Sequence, residues 1–294
     1  MKFLGRAVSA FVLSLLFAGQ LVFSQNSASP SEVVSAPKNL NPGAPHFYDN
    51  LYEGAKTSFQ LWDLAGIAAC AFLDHRKPAQ GMKLEAFGMD REITASWARV
   101  DGKKSLGAVS PVYYPGIVAT SRMTGMILLD ALNIHDYSAS TYAKMFRFQQ
   151  ALYYTKVVTH LAKRNIQRHR PDGSDTYSFF SGHTSAAFAT STFFYLEMRD
   201  FIDHLAQSRE GKLPLMSPRG WKMVSFGVIY GWAGYVGYSR IHDNKHYLSD
   251  VIVGAASGIL VSYLVYPHQT KSDRLQFGVQ PMRNGAAIGL SMNF

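Results

Sequence analysis

The stretch SRIHDNKHYLSDVIVGAASGILVSYLVY, residues 239–266, joins a polar turn to an apolar run in which no charged residue follows Asp250. A run of this length and composition predicts a helix near 247–266. Helical spacing of apolar residues predicts five further helices, near 55–75, 107–133, 141–168, 182–205 and 220–239. We therefore expect an all-α fold, a six-helix bundle whose helices pack around one core.

Two segments between the predicted helices are polar and carry helix-breaking residues. Residues 76–106 include Gly102, and residues 206–219 include Pro214 and Pro218. Glycine and proline interrupt regular structure, so both segments are predicted to be long connections.

Small residues recur at helical spacing in two of the predicted helices. Gly227 and Gly231 are four residues apart, as are Gly254 and Gly258. Residues four apart lie on one helix face, and a face of small residues lets a neighbouring helix approach closely. Both pairs are therefore expected at helix–helix contacts.

The N-terminal region differs in character from the helical region. Lys2 and Arg6 begin an apolar run, and small residues near Ser24 suit a signal peptidase. This pattern predicts a signal peptide over 1–24 and export to the periplasm, with an uncleaved membrane anchor as the alternative. Residues 25–50, rich in Ser, Pro, Asn and Ala, predict a flexible lead-in.

The C-terminal residues 272–294 alternate between apolar and smaller or polar residues on either side of Asn284-Gly285. Asn-Gly is a favoured two-residue turn, so this tail is predicted to be a β-hairpin. A strand that ends in Phe294 also resembles the last strand of outer-membrane barrels, which leaves a contact with the outer membrane open. The predicted helical domain between the two ends spans 51–267.

Composition narrows the classes of partner. Of the 294 residues, 47% are hydrophobic, and the formal net charge is +9. This basic balance suits an anionic substrate or an anionic membrane surface. Since no run of Lys and Arg of the nucleic-acid-binding type occurs, nucleic acid is not an expected partner. The oligomeric state is not determined by the sequence.

Three polar segments lie at predicted helix ends. They are KRNIQRHRP (163–171), the tripeptide at 181–183, and the turn at 239–250. Each segment alone has an ordinary structural explanation, as a solvated basic helix end, a helix cap or a local ion pair. In an antiparallel bundle, however, the loops after the third and the fifth helix meet at the same end. All three segments are therefore expected to converge there.

Five residues in these segments suit the binding of a phosphate group. Lys163, Arg170 and Arg240 supply three positive charges that can neutralise phosphoryl oxygens. Backbone N–H groups at a helix start, here those of Ser181 and Gly182, form a natural oxyanion site.

Three further residues suit phosphoryl transfer. One histidine can attack phosphorus while the other protonates the leaving oxygen. Asp250 lies four residues after His246 and can hold the far nitrogen of that ring. We therefore assign His246 as the nucleophile and His183 as the general acid.

The spacing Lys-x6-Arg-Pro, Ser-Gly-His and Ser-Arg-x5-His-x3-Asp resembles the type 2 phosphatidic acid phosphatase (PAP2) superfamily. This superfamily includes bacterial acid phosphatases, lipid phosphatases and vanadium haloperoxidases. The residues that carry the resemblance are Lys163, Arg170, Pro171, Ser181, Gly182, His183, Ser239, Arg240, His246 and Asp250. The one departure is Phe180, where the family usually has proline, which puts the rigidity of the preceding loop in question.

The resemblance implies a hydrolase that cleaves phosphate monoesters, or lipid phosphates or diphosphates, through a phosphohistidine at His246. It implies no metal and no other cofactor. The partner is then a phosphorylated small molecule or lipid. Two alternatives remain: a haloperoxidase that holds vanadate in the same oxyanion site, and a binding role at the outer membrane through the C-terminal hairpin.

We expect a protein that does not span the membrane but that can contact it peripherally. The apolar run from Val251 to Tyr266 is shorter than the roughly 20 residues that a bilayer requires. Lys144, Arg147 and Lys156 lie in the third predicted helix, where lipid would make them costly. Six spanning helices after an exported N-terminus would also leave the converging segments on the cytoplasmic side.

Overall fold

The structure, a computed structural model, describes residues 47–59, 81–99, 104–108, 113–132, 134–208, 213–267, 276–282 and 285–291. Within these residues there are seven α-helices: α1 (Phe47–Ser58), α2 (Gly88–Trp97), α3 (Tyr113–Ala131), α4 (Ala139–Asn165), α5 (Gly182–Ser208), α6 (Pro218–His242) and α7 (Leu248–Val265). A single 3-10 turn covers Leu106–Ala108.

The described part is mostly helical, as the all-α prediction requires. Helices α3 to α7 cover five of the predicted helices, with ends that differ by a few residues. Most of the helix predicted at 55–75, together with the predicted signal at 1–24 and most of the lead-in at 25–50, lies outside the described residues.

The segment 76–106 is not only a connection, because it contains the ten-residue helix α2. The sequence prediction missed this helix since its apolar residues show no helical repeat against a core. Its two buried residues, Asp90 and Thr94, are polar. The carboxylate of Asp90 accepts hydrogen bonds from Ser249 at the start of α7, so a tertiary contact holds α2 in its position.

Local signals fix where the long helices begin. The Ser138 side chain accepts a hydrogen bond from the Thr141 N–H and caps α4. The Ser217 side chain accepts one from the Gly220 N–H at 3.2 Å and caps α6, with Pro218 in the first helical position. Both are favourable N-terminal arrangements, because they satisfy backbone donors that the helix itself leaves unpaired.

Helix α5 is the centre of the bundle and packs against α4, α6 and α7. The main apolar core joins these helices to α3. Its buried members are Ala119, Phe148, Ala151, Phe193, Phe194, Leu196 and Tyr266. A second cluster, between α3 and α4, contains Met126, Tyr137, Tyr142 and Met145.

The two glycine pairs differ in their surroundings. A Cβ atom added to Gly254 would lie 2.7 Å from the carbonyl oxygen of Ser181, and one added to Gly258 would lie 2.2 Å from that of Ser185. Both contacts show that α7 approaches the backbone of α5 closely. Gly227 and Gly231 on α6 have no atom of the described residues within 4 Å of such a Cβ, so close helix packing is seen only at the α7 pair in this part of the chain.

Four short strands accompany the helices in the described residues. β1 (Met82–Lys83) pairs in parallel with β2 (Ile166–Gln167), which directly follows α4. β3 (Gln276–Met282) and β4 (Gly285–Ser291) pair antiparallel, with Met282 opposite Gly285. This register makes Gly285 the first residue of β4, whereas the sequence prediction assigned it to the turn.

Large apolar side chains are exposed along the outer faces of α6 and α7. They include Met223, Val224, Phe226, Val228, Ile252, Val253, Ile259, Leu260, Tyr263 and Leu264. Among the described helices, α7 alone has the length and apolar character of a membrane span, with 18 residues of which 22% are buried. This helix, Leu248–Val265, is longer than the apolar run from Val251 to Tyr266 on which the expectation of a non-spanning protein rested.

Candidate active site

The predicted site residues converge at one end of the bundle, where α4 and α6 end and α5 and α7 begin. The Ser181 N–H donates to the Asp250 carbonyl at 3.1 Å and so joins the starts of α5 and α7. Nη1 of Arg170 lies 3.4 Å from Nε2 of His246. The loop after α4 and the turn before α7 therefore meet in one place.

His246 is 2% exposed and lies in the turn that precedes α7, not on the helix. The side chains of His246 and Asp250 nevertheless meet, although only Asp250 lies on the helix. Nδ1 of the ring lies 3.7 Å from Oδ2 of Asp250, which is longer than a hydrogen bond. In this arrangement the carboxylate acts on the ring through its charge, and Nε2 faces the guanidinium of Arg170.

Asp250 is fully buried and has several partners of its own. Its Oδ1 accepts from Nη1 of Arg168 at 2.6 Å, and its Oδ2 accepts from the Ser178 hydroxyl at 2.6 Å and the Tyr247 N–H at 3.0 Å. The last bond caps α7. Burial alone would raise the pKa of Asp250, but its hydrogen bonds and the charge of Arg168 lower it below the ordinary value.

Lys163 and Arg170 both bind the loop that precedes α5. Lys163, in the last turn of α4, donates through Nζ to the carbonyl of Tyr177. Burial first, and the charge of Arg170 second, lower the pKa of Lys163 to about 8. Nε of Arg170 donates to Oδ1 of Asp175 at 2.7 Å, which holds the guanidinium with Nη1 toward His246.

Arg240, in the last turn of α6, is 5% exposed. Its Nη1 lies 3.3 Å from the Gly107 carbonyl and 3.4 Å from Oδ2 of Asp243. Asp243 also accepts bonds from the N–H and the hydroxyl of Ser105. Nε of Arg240 is buried and has no hydrogen-bond partner among the described atoms.

The start of α5 matches the predicted oxyanion site only in part. The Ser181 N–H is already bound to Asp250, and its hydroxyl accepts a bond from that of Thr184 at 2.9 Å. The N–H groups that remain for a ligand are those of Gly182 and His183. A Cβ atom at Gly182 would lie 3.3 Å from Cγ2 of Thr159 and 4.0 Å from Cε of Lys163, so glycine leaves room for the lysine side chain.

Both histidines are neutral at pH 7 in this arrangement. Burial, followed by the charge of Arg240, lowers the pKa of His183 to about 3. Burial lowers the pKa of His246 to about 4, since it outweighs the opposing effect of Asp250. A neutral imidazole with a free nitrogen is a nucleophile, whereas an acid must first gain a proton. A bound dianion supplies negative charge that favours protonation of His183.

Phe180, at the family's usual proline position, is 4% exposed, and its peptide bond with Phe179 is cis. The aromatic ring is therefore part of the packing beneath the loop. Because the buried ring restrains Phe180, it also restrains the end of the loop next to Ser181.

Sequence reasoning missed the carboxylates and the arginine that hold the predicted residues in place. Arg168 was interpreted as part of a solvated basic helix end, yet it is 2% exposed and pairs with Asp250 and Asp90. Asp175 and Asp243 bind Arg170 and Arg240. The sequence contained one local signal for these roles, since Asp243 lies three residues after Arg240. Asp175 lies five residues after Arg170 in the same loop. Asp90 and Asp250, the partners of Arg168, lie on distant segments.

The arrangement can bind a tetrahedral anion and attack it. The charges of Lys163 and Arg170 act on the buried neutral imidazole of His246, and these two charges together with that of Arg240 act on the imidazole of His183. Cations arranged before the reaction stabilise charge that develops on phosphoryl oxygens.

Comparison with known proteins gives the following matches. The family model of the PAP2 superfamily matches residues 147–274. Over 109 residues the chain is 38% identical to lipid A 1-phosphatase of Porphyromonas gingivalis, covering 37% of this chain and 20% of that protein. Over 91 residues it is 35% identical to the probable diacylglycerol pyrophosphate phosphatase 1 of Schizosaccharomyces pombe, covering 30% of this chain and 29% of that protein. The matches thus span less than a third of these relatives.

Among solved structures, the crystal structure of Aquifex aeolicus LpxE aligns with 63% of this chain and 98% of its own, at 19% identity and a TM-score of 0.38.

Proposed function

We propose, on the basis of the match of residues 147–274 to the family model of the PAP2 superfamily, that the protein is a phosphatase that hydrolyses the phosphate or diphosphate of a lipid. The reaction uses a phosphohistidine at His246 and requires no metal. Lys163, Arg170 and Arg240 neutralise the phosphoryl oxygens in place of a divalent cation.

One observation carries this proposal. Nε2 of the buried His246 faces Nη1 of Arg170 at 3.4 Å, while its Nδ1 faces the carboxylate of Asp250 at 3.7 Å. The side of the ring that can attack is thus the side on which the cations lie. A phosphoryl group held by Arg170 would therefore meet the nitrogen lone pair.

The proposed first step is attack of Nε2 of His246 on phosphorus. The bond from phosphorus to the leaving oxygen breaks, and His183, protonated in the complex, gives its proton to that oxygen. The positive charge that forms on the phosphorylated ring lies next to Asp250. In the second step water attacks phosphorus, His183 takes one of its protons, and the bond to Nε2 breaks. Inorganic phosphate and the starting enzyme result.

A lipid substrate is supported by two observations. The relatives with 38% and 35% identity are named for lipid A and for diacylglycerol pyrophosphate. The outer faces of α6 and α7 also expose large apolar side chains, which suit a lipid environment better than water. We propose that the protein is associated with a membrane through these faces. We also propose that it is exported to the periplasm, on the basis of its N-terminal signal pattern.

The decisive experiment measures phosphate release from phosphatidic acid in detergent micelles that contain EDTA. His246→Ala is compared with the parent protein and with His204→Ala, since His204 is an exposed histidine in the second half of α5. We expect activity that survives chelation, persists in His204→Ala and is lost in His246→Ala. Acid-labile label from 32P-phosphatidic acid should appear on the parent protein and on His204→Ala, but not on His246→Ala. Activity that depends on added metal, or that persists in His246→Ala, contradicts the proposal.

A further inference from the structure

Arg168 forms the centre of a buried ion-pair cluster behind the candidate active site. Its Nη1 lies 2.6 Å from Oδ1 of Asp250, and its Nη2 lies 2.6 Å from Oδ2 of Asp90. The guanidinium carbon is 4.6 Å from the centre of the Tyr247 ring. One side chain thus connects the loop after α4 with both α2 and the start of α7.

The same cluster holds the turn that carries His246. The carboxylate of Asp90 accepts from the Ser249 N–H at 2.9 Å and from its hydroxyl at 2.6 Å. The carboxylate of Asp250 accepts from the Tyr247 N–H at 3.0 Å. Tyr247 and Ser249, which closely follow His246, are therefore bound to two carboxylates, and Arg168 bridges these carboxylates.

The backbone of Arg168 holds the opposite wall of the site. Its N–H donates to the carbonyl of Thr176 at 2.9 Å, and its carbonyl accepts from the Ser178 N–H at 3.0 Å. Ser178 in turn donates through its hydroxyl to Asp250. The loop that leads to Ser181 is thus attached to the residue that orients His246.

We propose that Arg168, together with Asp90, is a positioning residue that fixes the Asp250 carboxylate and the ring of His246 for attack on the phosphoryl group. This inference rests on the proposed phosphatase reaction. It gives α2, in a segment that the sequence predicted to be only a connection, a role in the geometry of the nucleophile.

The chemistry requires arginine at this position. A guanidinium presents two parallel Nη donors in a rigid plane, so it can bind two separate carboxylates at once. A lysine keeps the charge but binds as a single point and cannot hold both carboxylates at 2.6 Å. Displacement of a reacting group by about 1 Å can reduce turnover by about 100-fold, and partners that orient a functional side chain typically contribute about 10- to 100-fold.

The test compares Arg168→Lys and Asp90→Asn with a matched control, Arg122→Lys. Arg122 forms a bidentate pair with Glu197, at 2.8 and 2.9 Å, with both side chains largely buried. Glu197 lies about 22 Å along α5 from Gly182, at 1.5 Å per residue. The control therefore breaks a similar ion pair within the same bundle but far from the site.

We expect Arg168→Lys and Asp90→Asn to lower kcat on phosphatidic acid by about 10- to 100-fold, with KM and the Kd for inorganic vanadate changed less than about threefold. Arg122→Lys should keep the parent kcat even if its melting temperature falls equally. Equal losses of kcat in Arg168→Lys and Arg122→Lys at equal melting temperatures, or a parent-like kcat in Arg168→Lys, overturn the positioning role.

A second readout requires no turnover. In 15N-histidine NMR spectra, with His246→Gln used for assignment, the parent protein should show His246 protonated at Nδ1, and Arg168→Lys should show a mixture of tautomers. An unchanged tautomer in Arg168→Lys contradicts the positioning role. If the parent protein shows no hydrolysis, the proposed function fails, and this spectrum still decides whether Arg168 orients His246.

Discussion

The close approach of α7 to α5 makes Gly254→Ala the most informative single substitution in this protein. Gly254 lies one helical turn after Asp250, and its added Cβ would be 2.7 Å from the Ser181 carbonyl oxygen. This oxygen accepts the hydrogen bond of the Ser185 N–H in the first turn of α5. Because the atom in contact belongs to helix backbone, it cannot rotate away as a flexible side chain does.

The size of the effect follows from this distance. Ordinary contacts of a Cβ atom begin near 3.4 Å, so the starts of α5 and α7 must separate by about 0.7 Å. The start of α5 carries His183, whereas the start of α7 carries Asp250 and follows His246. A separation of this size between reacting groups predicts a loss of kcat of about 10- to 100-fold. Overpacking predicts a decrease in the free energy of unfolding of about 1–3 kcal/mol.

The assay is turnover of phosphatidic acid in micelles, with chemical unfolding measured on the same samples. The control is Gly227→Ala on α6, because a Cβ atom there meets no described atom within 4 Å. Alanine is the better helix former, so this control should keep full activity and gain up to about 1 kcal/mol in stability. If Gly254→Ala retains the parent kcat and the parent stability, the close packing of α5 and α7 at the site is refuted.

Three further predictions concern charge at the site. Burial and neighbouring cations hold the pKa of His183 at about 3 and that of His246 at about 4, while both titrate near 6.5 in the unfolded chain. The unfolded chain therefore binds more protons below pH 6.5, and the free energy of unfolding should decrease as the pH falls from 6.5 toward 4. Thermal melts across this range test this, and His183→Gln should flatten the dependence. The pKa of Lys163 is lowered to about 8, so the lysine loses its charge above pH 8 and binding of inorganic phosphate should weaken there. Titration calorimetry should show that phosphate binding persists to higher pH in Lys163→Arg. Asp175→Asn removes the charged partner of Arg170 Nε and should raise KM roughly fivefold, a cost of about 1 kcal/mol, with a smaller change in kcat. An unchanged KM contradicts the role of Asp175 in holding Arg170 for substrate binding.

The long helices of the fold followed directly from the sequence. Apolar periodicity located α3 to α7, and local caps such as Ser138 and Ser217 lie where two of them begin. These signals are local, because they depend on residues that are near one another along the chain. Helix α2 was missed since its buried residues are polar and form contacts with α7, which no local pattern records.

The candidate site likewise contains residues that the sequence could predict and residues that it could not. The residues facing the proposed phosphoryl group, among them Lys163, Arg170 and His246, could be named from their spacing. Their supporting partners could not, because Asp90 is 78 residues from Arg168, and Arg168 is 82 residues from Asp250. Even Ser181, which the sequence predicted to offer its N–H to an oxyanion, uses that N–H to bind the Asp250 carbonyl.

The sequence by itself determined which side chains are candidates for the chemistry and where the long helices α3 to α7 lie, since residue type and spacing encode both. Only the tertiary structure decided which charges are buried and paired. Arg168 and Arg164 belong to the same basic stretch, but Arg164 is half-buried, whereas Arg168 is buried between two carboxylates from distant helices. The difference has a physical reason: the solvation and pairing of a charge depend on every atom packed around it, and distant segments supply most of those atoms.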